Sequence, residues 1–212
     1  MPRSTANAQR AEATRRRIVA AAGPLFAEQG YLETTMAALA RAAGVAVQTL
    51  YLSFGSKSAV LEAALAAAAE DQPSGWVQRL RDEPDGLAAL REHITTTTVL
   101  LERRHPLLTV LRSAAADPEP AAVLERAGAA AFAFHAAAVD ELAEKDGFTD
   151  RISLQRATEI VAATLSPDLY GHLVVHHGWP SGDWTGWTAR HLGADLFPKL
   201  DAEGTGWSSL SS

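Results

Sequence analysis

Residues 30–57 read GYLETTMAALARAAGVAVQTLYLSFGSK, and their punctuation decides the fold. Thr34 or Thr35 can open a helix over 35–42, because a hydroxyl at that position accepts a backbone N–H that has no partner inside the helix. Met36, Leu39 and Ala40 then share the inward face. Gly44 supplies the positive φ that a tight turn demands. A second helix over 46–53 follows, with Val45, Leu50 and Phe54 on its buried side. Helices of about two turns are not stable alone, so this pair must pack on its neighbours. One is a helix over 11–29, with Ile18, Ala22, Leu25 and Phe26 at helical spacing and Gly30 as its cap. The other is a helix over 57–72 carrying Val60, Leu61 and Leu65. Pro24 predicts a local bend in the first of these, or an earlier break.

Further along the chain, glycines, prolines and polar clusters mark helices over 84–104, 106–114, 119–146, 153–178 and 182–198, about nine helical segments in all. Ser166-Pro167-Asp168 predicts either a kink in the 153–178 helix or a break into two, since serine, proline and an acid in that order also form a helix start. No alternating strand pattern is present, so the fold class is all-α. A head is expected over 1–57, a larger helical body over 58–200, and a disordered tail over 201–212 in which Trp207 has no evident partner. The chain has 212 residues, 47% of them hydrophobic, enough to bury a core. It contains no cysteine, which excludes disulfides, thiolate metal sites and cysteine nucleophiles. The polar N-terminus lacks the apolar run of a signal peptide. No stretch approaches the ~20 apolar residues that span a bilayer, so a cytoplasmic protein without a membrane partner is expected.

The formal charge is −6, mildly unfavourable for a polyanionic partner. Its distribution points the other way: residues 1–60 carry seven Lys or Arg against three acids, and residues 61–212 carry twelve against twenty-two. The basic segment coincides with the two short helices. Two such helices joined by a glycine turn form the pattern of a helix-turn-helix, whose second helix lies in the DNA major groove. Spacing alone leaves an ordinary three-helix packing as the alternative.

The stretches Gly30–Met36, Leu39–Val45 and Thr49–Lys57 together resemble the DNA-binding domain of the TetR (tetracycline repressor) family of transcriptional regulators. The resemblance is dense over about residues 11–65 and otherwise rests on length and helical layout. It implies a homodimeric repressor, released from a palindromic double-stranded operator by a small-molecule effector. Thr35, Tyr51 and Lys57 are the candidate phosphate contacts: a hydroxyl beside free N–H groups, a phenol at the end of the reading helix, and a cation whose place in a first helical turn opposes the helix dipole. Ala46, Val47, Gln48 and Thr49 are the candidate base readers, with Gln48 able to pair bidentately with adenine and the others able to touch thymine methyls. Leu52 and Ser53 depart from the larger polar or aromatic residues the family often carries. Arg10, Arg15, Arg16 and Arg17 lead into the first helix, as a solvated arm or as a reach toward a flanking phosphate.

In the body, His93, Thr96, Thr97, Leu100, Leu111, Phe132, His135 and Tyr170 mix apolar surface with a few polar groups, the usual make-up of a ligand pocket. A packed bundle with satisfied histidines is the alternative. Leu165, Leu169, Leu173, Trp184, Trp187, Leu192 and Leu196 form stripes too apolar to expose on a monomer. They are the candidate dimer interface, unless they pack on their own chain. His172, His176 and His177 have metal-capable spacing, but the glutamate of H-E-x-x-H is missing and no third ligand is marked. No catalytic residue, cofactor motif or metal set is expected, and the chain is not read as an enzyme. A helical interaction module or an all-helical small-molecule enzyme without DNA binding are the competing functions.

Overall fold

A computed structural model describes residues 2–70 and 75–199, with the side chains of 2–6 and 70 left aside, and among them there are helices and no strand. The expected tail over 201–212, Trp207 included, lies outside the described residues. In chain order the helices are α1 (Pro2–Glu33), α2 (Met36–Ala43), α3 (Val47–Phe54), α4 (Lys57–Glu70), α5 (Trp76–Asp82), α6 (Gly86–Ser113), α7 (Pro118–Ala143), α8 (Leu154–Thr164), α9 (Pro167–Tyr170), a π-helical turn (Gly171–His176) and α10 (Ser181–Leu196). The chain divides into two compact units, Met1–Asp71 with Arg103–Arg126, and Gln72–Glu102 with Ala127–Ser212. The first unit therefore runs past the expected boundary at residue 57, taking in α4 and the 103–126 segment.

Unit 1 is built on α1, which packs on both α2 and α4, while α3 lies on α2 and α4. Ile18, Phe26, Leu39, Leu50 and Leu61 are at most 1% exposed and form its centre. Burying each contributes roughly 1.5–3 kcal/mol, which fixes helices too short to stand alone. In unit 2, α5, α6, α8 and α10 bring Leu80, Leu90, Ile94, Val161, Trp184, Leu192 and Phe197 into one core. Gly86 opens α6 directly under the Phe197 ring, where a Cβ would collide with that ring.

Several sequence expectations are changed or decided. Pro24 causes no break: the backbone of α1 leaves helical geometry only at Gly30, where φ is 75°. Pro106 likewise sits inside α6, so 84–104 and 106–114 are one helix. Each proline is exposed, as is the residue four before it, Ala20 or Glu102, so a carbonyl freed by the missing N–H has water within reach. Between 153 and 178 the break prevails over the kink. Ser166 caps α9, its hydroxyl accepting the Leu169 N–H at 3.2 Å, with Pro167 at the first helical position. The short helix α5 carried no sequence signal strong enough to mark it. Finally, α7 is long and apolar enough to cross a bilayer by length and composition, with 22% of that stretch buried inside the protein. Its charges lie toward the ends, leaving residues 127–139 without Asp, Glu, Lys or Arg.

Candidate nucleic-acid interface

The head is organised by its helix ends. Thr35 has extended backbone geometry and its Oγ1 accepts the Ala38 N–H at 3.1 Å, closing the first turn of α2. Thr34, the other candidate cap, instead donates its hydroxyl to the Gly30 carbonyl at 2.6 Å. At the far end Gly44 is left-handed, with φ 63° and ψ 40°. Its N–H reaches the Arg41 carbonyl at 3.1 Å, and the Val45 N–H reaches the Ala40 carbonyl at 2.9 Å. These bonds satisfy the last carbonyls of α2 and turn the chain sharply. The result is an angle of 104° between α2 and α3, within the range of about 90–120° that places a reading helix across its partner.

Leu50 anchors α3 at 0% exposed, and the opposite face is bare. Ala46, Val47, Gln48, Tyr51 and Leu52 are all exposed, while Thr49 is half-buried. Tyr51 is 52% exposed and Leu52 83%. The helical period puts 47, 48, 51 and 52 on one side, so Leu52 shares the exposed face of the candidate base readers Val47 and Gln48. Ala46 at the N-cap makes no side-chain capping bond, and the first N–H groups of α3 have no such hydroxyl over them.

Lys57 has closer partners than a phosphate. Its ammonium donates to the Tyr31 carbonyl at 2.6 Å and lies 4.1 Å from the centre of the Tyr31 ring. Burial lowers its pKa, against an opposing pull from Asp117 and Glu33. A cation in a first helical turn thus finds its counter-partners within the protein, and the helix-dipole reasoning from sequence does not by itself require a phosphate. Arg15 is also structural: its Nη1 donates to the Ser53 carbonyl at 2.8 Å, and its guanidinium sits 4.1 Å over the Phe54 ring, fastening α1 to the end of α3. Arg10, Arg16 and Arg17 remain exposed along α1.

Residues 18–64 match the family model for bacterial regulatory proteins of the tetR family. Over residues 18–64 the chain is similar to the DNA-binding regulators of that family. No curated protein sequence matches it, and its likeness to solved structures is one of fold. NalD, the secondary repressor of the MexAB-OprM multidrug efflux pump in Pseudomonas aeruginosa, is 21% identical with a TM-score of 0.69, covering 90% of this chain and 99% of its own. A transcriptional regulator from Mesorhizobium loti, assigned to the same family, gives 18% and 0.71 over 89% and 98%. FadR from Bacillus subtilis, in complex with stearoyl-CoA, gives 17% and 0.70 over 85% and 98%.

In the body, the eight candidate pocket residues are divided between the units, Leu111 in unit 1 and the other seven in unit 2. His93 and His135 do meet, Nε2 to Nδ1 at 3.0 Å, walled by the rings of Trp76 and Phe134. Both are buried, and burial keeps both imidazoles neutral: it lowers the His135 pKa to about 4 and drives His93 well below its usual value, helped by His135 beside it. Among the described residues Nδ1 of His93 has no hydrogen-bond partner. Thr97 returns its hydroxyl to the His93 carbonyl at 2.8 Å. Thr96 and Leu100 are half-buried. Phe132, by contrast, is 42% exposed, Tyr170 is buried edge-on against Trp184, and Leu111 belongs to the core of unit 1.

A cavity of about 650 Å³ lies in unit 2 between α6 and α10. Arg91, Thr95, Trp179, Asp183, Trp187 and Arg190 are among its walls, and none of the eight candidates is. On α6 the candidates occupy the inward face, whereas Arg91 and Thr95 lie on the side turned to the cavity.

The candidate dimer stripe is corrected in the same way. Leu165, Trp184, Leu192 and Leu196 are at most 1% exposed inside unit 2, and Trp184 Nε1 donates to Thr98 Oγ1 at 3.2 Å. Their spacing of four marks the face that α10 buries in its own core. Leu169, Leu173 and Trp187 are half-buried at its margin. The bare side of α10 instead presents Asp183, Arg190, His191 and Ala194.

Proposed function

We propose that this regulator is a homodimeric repressor that reads a palindromic operator with α3 and releases it when a small-molecule effector binds in unit 2. One observation carries the reading: α3, set at 104° to α2, exposes a row of side chains opposite a fully buried anchor at Leu50. Such a face fits the major groove, where Gln48 addresses an adenine edge and Val47 and Leu52 address thymine methyls. Thr35, Tyr51 and the remaining N–H donors of Lys57 flank it as phosphate contacts. Two half-sites on B-DNA lie about 34–36 Å apart, which calls for a second copy of the chain. The exposed positions of α10 outside the cavity, His191, Ala194 and Asp195, are our candidate for that contact, in place of the buried stripe.

The cavity between α6 and α10 falls in the size range of about 300–1,000 Å³ typical of ligand sites. FadR, which shares this fold, is solved with stearoyl-CoA, and we place the effector of this regulator in that cavity. A cytoplasmic, non-catalytic role follows from the reading.

The test is binding to duplex DNA as a function of salt. Affinity should fall steeply with rising salt, and Lys57→Ala should reduce the logarithmic slope by about 1. Salt-independent retention would rule out phosphate contacts. An unchanged slope in the variant would confine Lys57 to its bond with Tyr31.

A further inference from the structure

The π-helical turn Gly171–His176 carries three histidines that the DNA-binding reading does not use. His172, His176 and His177 are all exposed, with Val175 between them 61% exposed. In an α-helix, residues four apart would stack, making His172 and His176 the neighbours. Here the wider turn pairs positions five apart: the His177 N–H donates to the His172 carbonyl at 3.1 Å, and side chain 177 returns over side chain 172. Their Nε2 atoms stand 3.3 Å apart, with the rings edge to face at 89°. His176 lies nearly parallel to His172 at 19° and 5.8 Å between centroids and 4.8 Å from the His177 ring, while the ring nitrogens that come within hydrogen-bonding distance are those of His172 and His177. π-helical turns are rare and recur at functional sites.

We propose that His172 and His177 form a two-donor chelate for a divalent transition-metal ion of the zinc type, held through both Nε2 atoms. A tetrahedral zinc with bonds of about 2.0–2.1 Å to nitrogen requires its donors about 3.3–3.4 Å apart, and the pair already stands at that separation. Among the described residues no group of three or more His, Asp or Glu is placed to hold an ion, so water completes the coordination and the site is open. Without the ion, one Nε2–H donates to the other Nε2. On binding, that ring moves its proton to Nδ1 through solvent, both Nε2 lone pairs face the ion, and no net proton is released. Imidazole donors suit zinc, nickel and copper, with affinity rising from nickel to copper and falling again at zinc. The donors belong to unit 2 and the reading helix to unit 1.

The experiment titrates the full, untagged chain with zinc chloride by calorimetry, with far-UV circular dichroism on every variant. The expected result is saturable binding of a single ion per chain. His172→Ala and His177→Ala should each weaken it by about tenfold or more, while His176→Ala should leave it within about twofold. Nitrogen-15 imidazole NMR of the wild-type chain should show zinc shifting Nε2 of His172 and His177 and not their Nδ1. Absence of saturable binding would overturn the proposal. So would an equal loss in His176→Ala, or zinc shifts at other histidines such as His191, because either would mean diffuse surface affinity in place of a chelate.

Discussion

The head and the body of this regulator handle polar groups in opposite ways. In unit 1 the caps of the short helices are settled locally, as when Thr35 caps Ala38 three residues on and Thr34 bonds Gly30 four residues back, and the long cationic side chains of Arg15 and Lys57 reach farther, to the backbone of Ser53 and Tyr31. Side chains on the outer face of α3 stay exposed, as a reading surface requires. In unit 2 polar groups are buried at mid-helix and meet partners far along the chain, His93 with His135 and Trp184 with Thr98. The contrast shows where each unit is vulnerable. The head depends on a small apolar anchor under free side chains, whereas the body depends on keeping buried imidazoles neutral.

The sharpest way to separate them is Leu50→Ala. Removing this fully buried side chain should cost about 2–5 kcal/mol, and amide exchange over α2 and α3 should accelerate accordingly. Every tryptophan lies beyond residue 75, so the fluorescence transition of the body should keep its midpoint. A matching shift in that transition would mean that the units unfold as one. Acid should produce the reverse pattern. His135 titrates at about 4 in the folded chain and near 6.5 when unfolded, so the unfolded state binds more protons between those values. Its contribution is intact above pH 6.5 and lost as pH falls through 4, by roughly 3 kcal/mol. Urea unfolding followed by tryptophan fluorescence should show that decline, and His135→Gln should flatten it. A wild-type curve that is already flat would contradict the neutral pair.

A smaller effect is expected from Gly86→Ala, where the new methyl meets the Phe197 ring. Overpacking of this kind costs about 1–3 kcal/mol, read in the body by the same fluorescence transition. The smallest is Thr35→Ala, which removes the α2 cap and should lower head stability by about 1 kcal/mol, measured by amide exchange. A larger loss would show that Thr35 supports more than its own helix end.

The same contrast governs what could be read in the sequence. Thr35, Gly44 and the start of α4 at Lys57 lie beside the boundaries they set, and α2 and α3 fall within a residue of their expected spans. Pro24 and Pro106 misled because the cost of an interior proline depends on whether the freed carbonyl can reach water, which the local sequence does not state. The α10 stripe was legible as apolar, but periodicity names a buried face without naming what covers it. The cavity was not legible at all, since Arg91 and Arg190 come together only in the folded unit. Lys57 was found for its position, and the fold adds neighbours that position did not name, the carbonyl and ring of Tyr31.

The central claim is that the outer face of α3 reads DNA. Selection of bound duplexes from a random pool, run with the wild-type chain and with Gln48→Ala, tests it most directly. The account predicts an enriched palindrome with half-site centres about one helical turn apart. In the variant, discrimination at one base position per half-site should relax by about 1–3 kcal/mol while salt-sensitive binding to unrelated duplex persists. No enrichment with the wild-type chain, or the same palindrome with undiminished preference in the variant, would contradict it.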